Sequence, residues 1–144
     1  MNSDVRQIMD DSWTSRLVGL RVESVEQWEG CPCVVRFAGG YRLHIESLWR
    51  LLSSGNLTLT SEDDGQIFGR SKPVNAIDEL SATLLGQTLE SLQVTQGTAD
   101  LALHFQNHVL QVISNSSGFE AWQLDASTGV VAIGQGGGSV VVVE

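Results

Sequence analysis

Cysteine and proline are scarce in this chain, two of each among 144 residues, and basic side chains and long apolar runs are scarce too. The two cysteines, Cys31 and Cys33, exclude a disulfide scaffold, because residues two apart in a strand share a face and do not normally bond to each other. No stretch approaches the roughly 20 apolar residues that a membrane-spanning helix needs. Eight basic residues stand against seventeen acidic ones, a formal charge of −9. Nucleic-acid and membrane-surface partners are therefore not expected, since both rely on Lys and Arg displacing counterions. A basic protein would be attracted instead. Residues 1–16 are of mixed charge and lack the apolar stretch of a signal peptide, so a cytoplasmic location is the expectation.

What is present suits a globular fold. Apolar residues make up 42% of the chain and there are four tryptophans. The length fits one domain over residues 1–144, able to bury about two thirds of its unfolded surface. The chain also repeats itself. Leu17-Val18-Gly19-x-x-Val22-Glu23-Ser24-Val25 recurs 67 residues later as Leu84-Leu85-Gly86-x-x-Leu89-Glu90-Ser91-Leu92. Each copy leads to a Gly (Gly30, Gly97), a strand ending in Phe (Phe37, Phe105), a turn, a second strand and a Trp close behind a Glu (Glu46 and Trp49; Glu120 and Trp122).

Spacing supplies the elements. Val5, Ile8, Met9 and Trp13 recur at helical intervals, which predicts a short N-terminal helix. Cys33, Val35 and Phe37, then Tyr41, Leu43 and Ile45, alternate with polar neighbours about Ala38-Gly39-Gly40, the pattern of a β-hairpin. Leu57 and Leu59 alternate in the same way. Val74, Ile77, Leu80, Leu84 and Leu85 share one helical face, predicting a central helix near residues 75–85. Further strands follow over residues 88–94, 100–105, 109–114, 121–124 and 130–133, and a flexible glycine turn at 134–138 precedes a last strand, Val140 to Val143. The expected class is α+β, mostly antiparallel β. It comprises two related β-meander units, near residues 17–70 and 84–144, with the two helices.

Catalytic and metal motifs fail in context. Cys31-Pro32-Cys33 lacks a second pair of ligands at zinc spacing. His104-x-x-x-His108 lacks the Glu of a metalloprotease and falls on a strand and turn. The glycines at 134–138 precede a strand, where a phosphate loop needs a helix. No cofactor and no metal are expected. Hairpin alternation places Arg36, Arg42, His44 and Glu46 together on the face opposite the core, a set able to grip a carboxylate or act in acid–base chemistry. The second hairpin carries milder residues there, with His104 among them. Trp49-Arg50 and Glu120 with Trp122 are further candidates, because Trp and Arg are enriched at interface hot spots, although the core is as common a place for a strand Trp.

At Leu43-x-Ile45-Glu46-x-x-Trp49-Arg50 and Phe119-Glu120-Ala121-Trp122-x-Leu124 the chain resembles small uncharacterised bacterial proteins. These are similar in size and charge to immunity proteins of bacterial toxin systems, which neutralise a partner enzyme by covering its active site. The resemblance implies a general type and no catalytic residues. The leading expectation is a non-catalytic cytoplasmic binding protein. One alternative is a small-molecule binder or enzyme using Arg36, Arg42, His44 and Glu46. Another is a structural homodimer built through the Val140–Val143 edge.

Overall fold

A computed structural model of the protein describes residues 11–143. The expected N-terminal helix lies outside the described residues except for its last part, where Ser12–Arg16 form a 3-10 turn that buries Trp13. Eleven strands follow among the described residues. The first five are β1 (Val22–Trp28), β2 (Cys31–Phe37), β3 (Tyr41–Ile45), β4 (Leu48–Ser53) and β5 (Asn56–Thr60). After helix α1 (Ala76–Leu84) come β6 (Ser91–Val94), β7 (Leu101–Phe105), β8 (His108–Ile113), β9 (Trp122–Ala126), β10 (Gly129–Gly134) and β11 (Val140–Val142). They form two sheets, ordered β1-β2-β3-β9-β10-β11 and β5-β4-β8-β7-β6, with every neighbouring pair antiparallel. The protein is thus β-rich, with one α-helix and short 3-10 turns among the described residues, and no helix there is long and apolar enough to cross a membrane.

Alternation explains the hairpins. Cys33, Val35, Phe37, Leu43 and Ile45 are buried, and Gly39 and Gly40 turn the chain between them at φ values of 84° and 85° that side chains rarely tolerate. Inward residues of both sheets join Trp13, Leu17 and the buried face of α1 in one apolar cluster. Asn75 caps α1 by accepting from the Asp78 N–H at 3.0 Å. Ala76, Leu80 and Leu84 are its buried residues, and α1 packs against β1. Leu85 departs from expectation: the helix has already ended there, and its side chain is 57% exposed. The glycines after β10 are a close fit where a flexible turn was expected. A Cβ on Gly134 would collide with the Trp122 indole, and one on Gly138 would collide with the Gly97 carbonyl.

Strand β4 is additional to the strands that alternation predicts. It ties the two halves together in one sheet, pairing with β8 as well as β5, as the β3–β9 pairing does in the other. Exchanging β1–β5 with β6–β10 converts the order of the first sheet, less β11, into that of the second. The correspondence reaches the irregularities: Thr58 bulges from β5 between the partners of Leu51 and Leu52, and Val131 bulges from β10 between those of Leu124 and Asp125. It also reaches the corner where residues 19–22 run against residues 86–89. Gly19 N–H donates to Leu89 O at 2.8 Å and Gly86 N–H to Val22 O at 2.9 Å. Leu89 N–H donates to Leu20 O at 2.9 Å and Val22 N–H to Gln87 O at 2.9 Å. Within each of these two pairs, a shift of 67 positions turns one bond into the other.

Candidate functional site

The outer face of the six-stranded sheet carries a connected group of polar side chains. Across it, register aligns Ser24, Arg36, Arg42 and Asp125 in one row and Glu26, Val34, His44 and Gln123 in the next. Arg36 and Arg42 are direct cross-strand partners, a placement that like charges disfavour. Each leans on an acid to its own side: Arg36 Nε lies 4.0 Å from Glu26, and Arg42 Nη2 lies 3.6 Å from Asp125 Oδ2. Both separations exceed the 2.7–2.9 Å or so of a charge-assisted hydrogen bond, so the arginines keep unused donors.

Asp125 is the hub. Its Oδ1 accepts from Gln123 Nε2 at 2.8 Å, and its Oδ2 lies 3.1 Å from His44 Nε2. The His44 approach is badly aligned, which leaves Nε2 buried without a proper hydrogen bond; Arg42 Nε is likewise buried without an acceptor. Trp28 stands edge-on to the His44 ring, with centroids 5.2 Å apart, and remains 37% exposed. Below this layer Val34 is fully buried, although its neighbours Cys33 and Val35 are the ones that join the core. The Glu26 carboxylate accepts from Ser24 Oγ at 2.6 Å and Trp28 Nε1 at 2.7 Å. Those two bonds, aided by the Arg36 charge and opposed by burial, hold its pKa below the usual carboxylate value.

The structure brings together Arg36, Arg42 and His44 of the sequence-derived candidates. Glu46 lies past the end of β3, exposed, and Asp125 takes the acidic place expected of it. Trp49 and Trp122 are core residues, 2% and 0% exposed, so neither offers surface to a partner. Trp122 spends its polar atom internally, donating from Nε1 to Ala99 O at 2.7 Å. Arg50 and His104 belong to the other sheet: Arg50 Nε donates to Gln111 Oε1 at 2.8 Å, and His104 Nε2 lies 3.3 Å from Gln93 Oε1. Glu120 is exposed beside Phe119 in the loop before β9. Asp125 and Gln123 are the members of the cluster that motif reading does not find, and the alternation of β9 is the signal available for them.

Neither cysteine serves this cluster as a nucleophile. Cys31 and Cys33 belong to β2, but Cys33 is fully buried in the core and burial pushes its thiol up to about 12. The Cys31 thiol is raised as well, chiefly by burial. A thiol is nucleophilic as thiolate, so both are poor reagents at neutral pH.

Two comparisons give no match: no curated protein and no solved structure resembles the chain. A family profile does match, over residues 13–144. The chain belongs to that family, DUF6188, a family of unknown function.

Proposed function

We propose that this member of a family of unknown function is a non-catalytic binding protein that holds another protein against the outer face of its six-stranded sheet. The observation that carries the reading is the half-exposed pair Arg36 and Trp28, set beside the Arg42–His44–Asp125 cluster on one sheet face. Arg36 lies 4.0 Å from Glu26, so its guanidinium keeps donors that a partner's acceptor would take. Arg and Trp are also the residue types that anchor interfaces. The acidic net charge would steer a basic partner towards the chain. In its specific form the reading is immunity-like: in the cytoplasm of a bacterium, the chain covers the active site of a basic enzyme. The internal repeat belongs to the same reading. Matched strand order, bulges and corner hydrogen bonds support two copies of one five-stranded unit in a single domain. Duplication kept the core and freed one outer face to diverge.

The test is purification of tagged protein from its native cell, beside a Trp28→Ala/Arg36→Glu variant. Wild type is expected to bring down one basic protein in stoichiometric amount, and the variant to lose it while melting within a few degrees of wild type, as surface changes do. Equal recovery by both proteins, or no stoichiometric companion, would end the reading.

Self-association is a second reading, favoured by the edge at β11. Val143 N–H donates to Val131 O at 2.8 Å, which fixes the register so that Val140 and Val142 turn their backbone groups away from β10. On the other sheet the end of the β5 edge is capped by a side chain, Thr60 N–H donating to Asp63 Oδ2 at 2.9 Å. Among the described residues the β11 edge shows no such closure, and it carries only valine, the kind of edge that pairs with another strand. Val142→Pro deletes an outward donor and leaves the bonds to β10. A wild-type dimer converted to a folded monomer in analytical ultracentrifugation is the expected result; a monomeric wild type would exclude this edge.

A further inference from the structure

The loop between β5 and α1 ends in a tip that water does not explain. Ile67 is 54% exposed and Phe68 is 67% exposed. Arg70 N–H donates to Ile67 O at 2.8 Å, closing a tight turn whose central residues, Phe68 and Gly69, have φ values of 48° and 75°. Positive φ at both centres is the type I′ signature, and sequences ordinarily fill it with Asn-Gly or Gly-Gly. A bulky aromatic at the first centre is strained by its own Cβ. Phe68 therefore bears two costs, strain and exposed apolar surface. Its neighbours contribute to the fold. Phe68 faces solvent.

The base of the tip is braced from several sides. Gly65 N–H donates to Val74 O and Val74 N–H to Gln66 O, each at 2.8 Å. Asp64 Oδ1 accepts from Ala76 N–H at 2.9 Å, tying the loop to the first turn of α1. Arg70 Nη2 meets Glu79 Oε2 at 2.9 Å, fixing the far side of the turn to the same helix. A side chain held out on such a base loses little freedom on binding, which is the condition for an anchor. The segment that carries the tip is net acidic: residues 61–79 hold five acids (Glu62, Asp63, Asp64, Asp78, Glu79) against Arg70 and Lys72.

We propose that the Ile67–Phe68 tip is a preformed docking knob for a protein that offers an apolar pocket of aromatic size with a basic rim. The net negative charge of the segment and of the chain favours the basic rim, the aromatic ring fills the pocket, and anionic lipid is repelled by the same charge. The knob is a separate surface from the sheet face, so each can fail without the other.

The test places the photoreactive p-benzoyl-phenylalanine at position 68 in the native cell, with the same probe at exposed Leu85 as control. One protein adduct is expected from position 68 and none of that size from position 85, and its cross-link should map to an apolar pocket lined at the edge by Lys or Arg. Purified wild type should compete for that adduct about thirtyfold better than Phe68→Gly, the loss expected of one buried aromatic anchor. Phe68→Gly should melt at or above wild type, because glycine relieves the positive φ. An adduct to lipid, to nucleic acid or to a second copy of the chain would overturn the proposal. So would equal competition by Phe68→Gly, or a fall of several degrees in its melting temperature, which would make Phe68 a structural residue.

Discussion

Replacing Trp122 with alanine is expected to cost about 3–5 kcal/mol, the range for truncating a fully buried tryptophan, and to leave a chain of ordinary stability near its unfolding threshold. Three features set the size of the effect. The indole is completely buried and lies 5.4 Å from the ring of Trp13, so its loss opens a cavity between β9 and the N-terminal turn. Its Nε1 donates to Ala99 O at 2.7 Å, a bond from β9 to the loop that precedes β7 in the other sheet. Gly134 lies flat against the ring, and the sheet cannot close over the space without moving that strand. Trp122→Phe separates the contributions: it keeps most of the volume but strands the Ala99 carbonyl, an expected loss of about 1–3 kcal/mol. Urea denaturation followed by near-ultraviolet dichroism measures both. A Trp122→Ala protein as stable as wild type would mean that the two sheets do not depend on this contact. Trp28→Ala, at the partly exposed end of β1, is the reference, with a smaller loss of about 1 kcal/mol from its hydrogen bond to Glu26.

Residues of one local period were legible in the sequence, and residues that act across distant strands were not. The β2–β3 hairpin announced itself because Cys33, Val35, Leu43 and Ile45 alternate with Arg36, Arg42 and His44, leaving a clean period of two. Strand β4 hid because Leu48, Trp49, Leu51 and Leu52 lie on both of its faces. On its outer face Leu48 pairs with Ile113 and Leu52 with Val109, either side of Arg50 and Gln111, so no period survives. Asp125 joins Arg42 and His44 only through the β3–β9 pairing, which links positions more than 75 residues apart and leaves no local mark. The acidic place therefore fell to Glu46, a sequence neighbour that lies beyond the strand end. The two tryptophans could have been assigned from the repeat itself. Trp49 pairs with Val112 and Trp122 with Ile45, corresponding positions in the two sheets, and positions that both copies keep apolar are those that fill the core.

The same correspondence turns the polar cluster into an experiment. Arg42 and Asp125 face each other across β3 and β9, and the corresponding pair across β8 and β4 is Val109 and Leu52. The molecule thus solves one packing position twice, once with an ion pair and once with two apolar side chains. Asp125→Ala removes the carboxylate from Arg42, His44 and Gln123 together, leaving a guanidinium of 30% side-chain exposure without its counter-charge. Partial exposure moderates the cost, and about 2 kcal/mol is expected where a fully buried pair would lose more. Arg42→Val/Asp125→Leu copies the other sheet and should recover that loss entirely, since apolar residues of similar volume often match or exceed a half-buried ion pair. Chemical denaturation of the single and double variants reads the recovery directly. A double variant as weak as Asp125→Ala would show that the two sheets are not interchangeable at this position, and would count against the duplicated-unit reading. A double variant that folds like wild type and no longer retains a partner would locate the reason for the charges: stability does not require them there, and binding does.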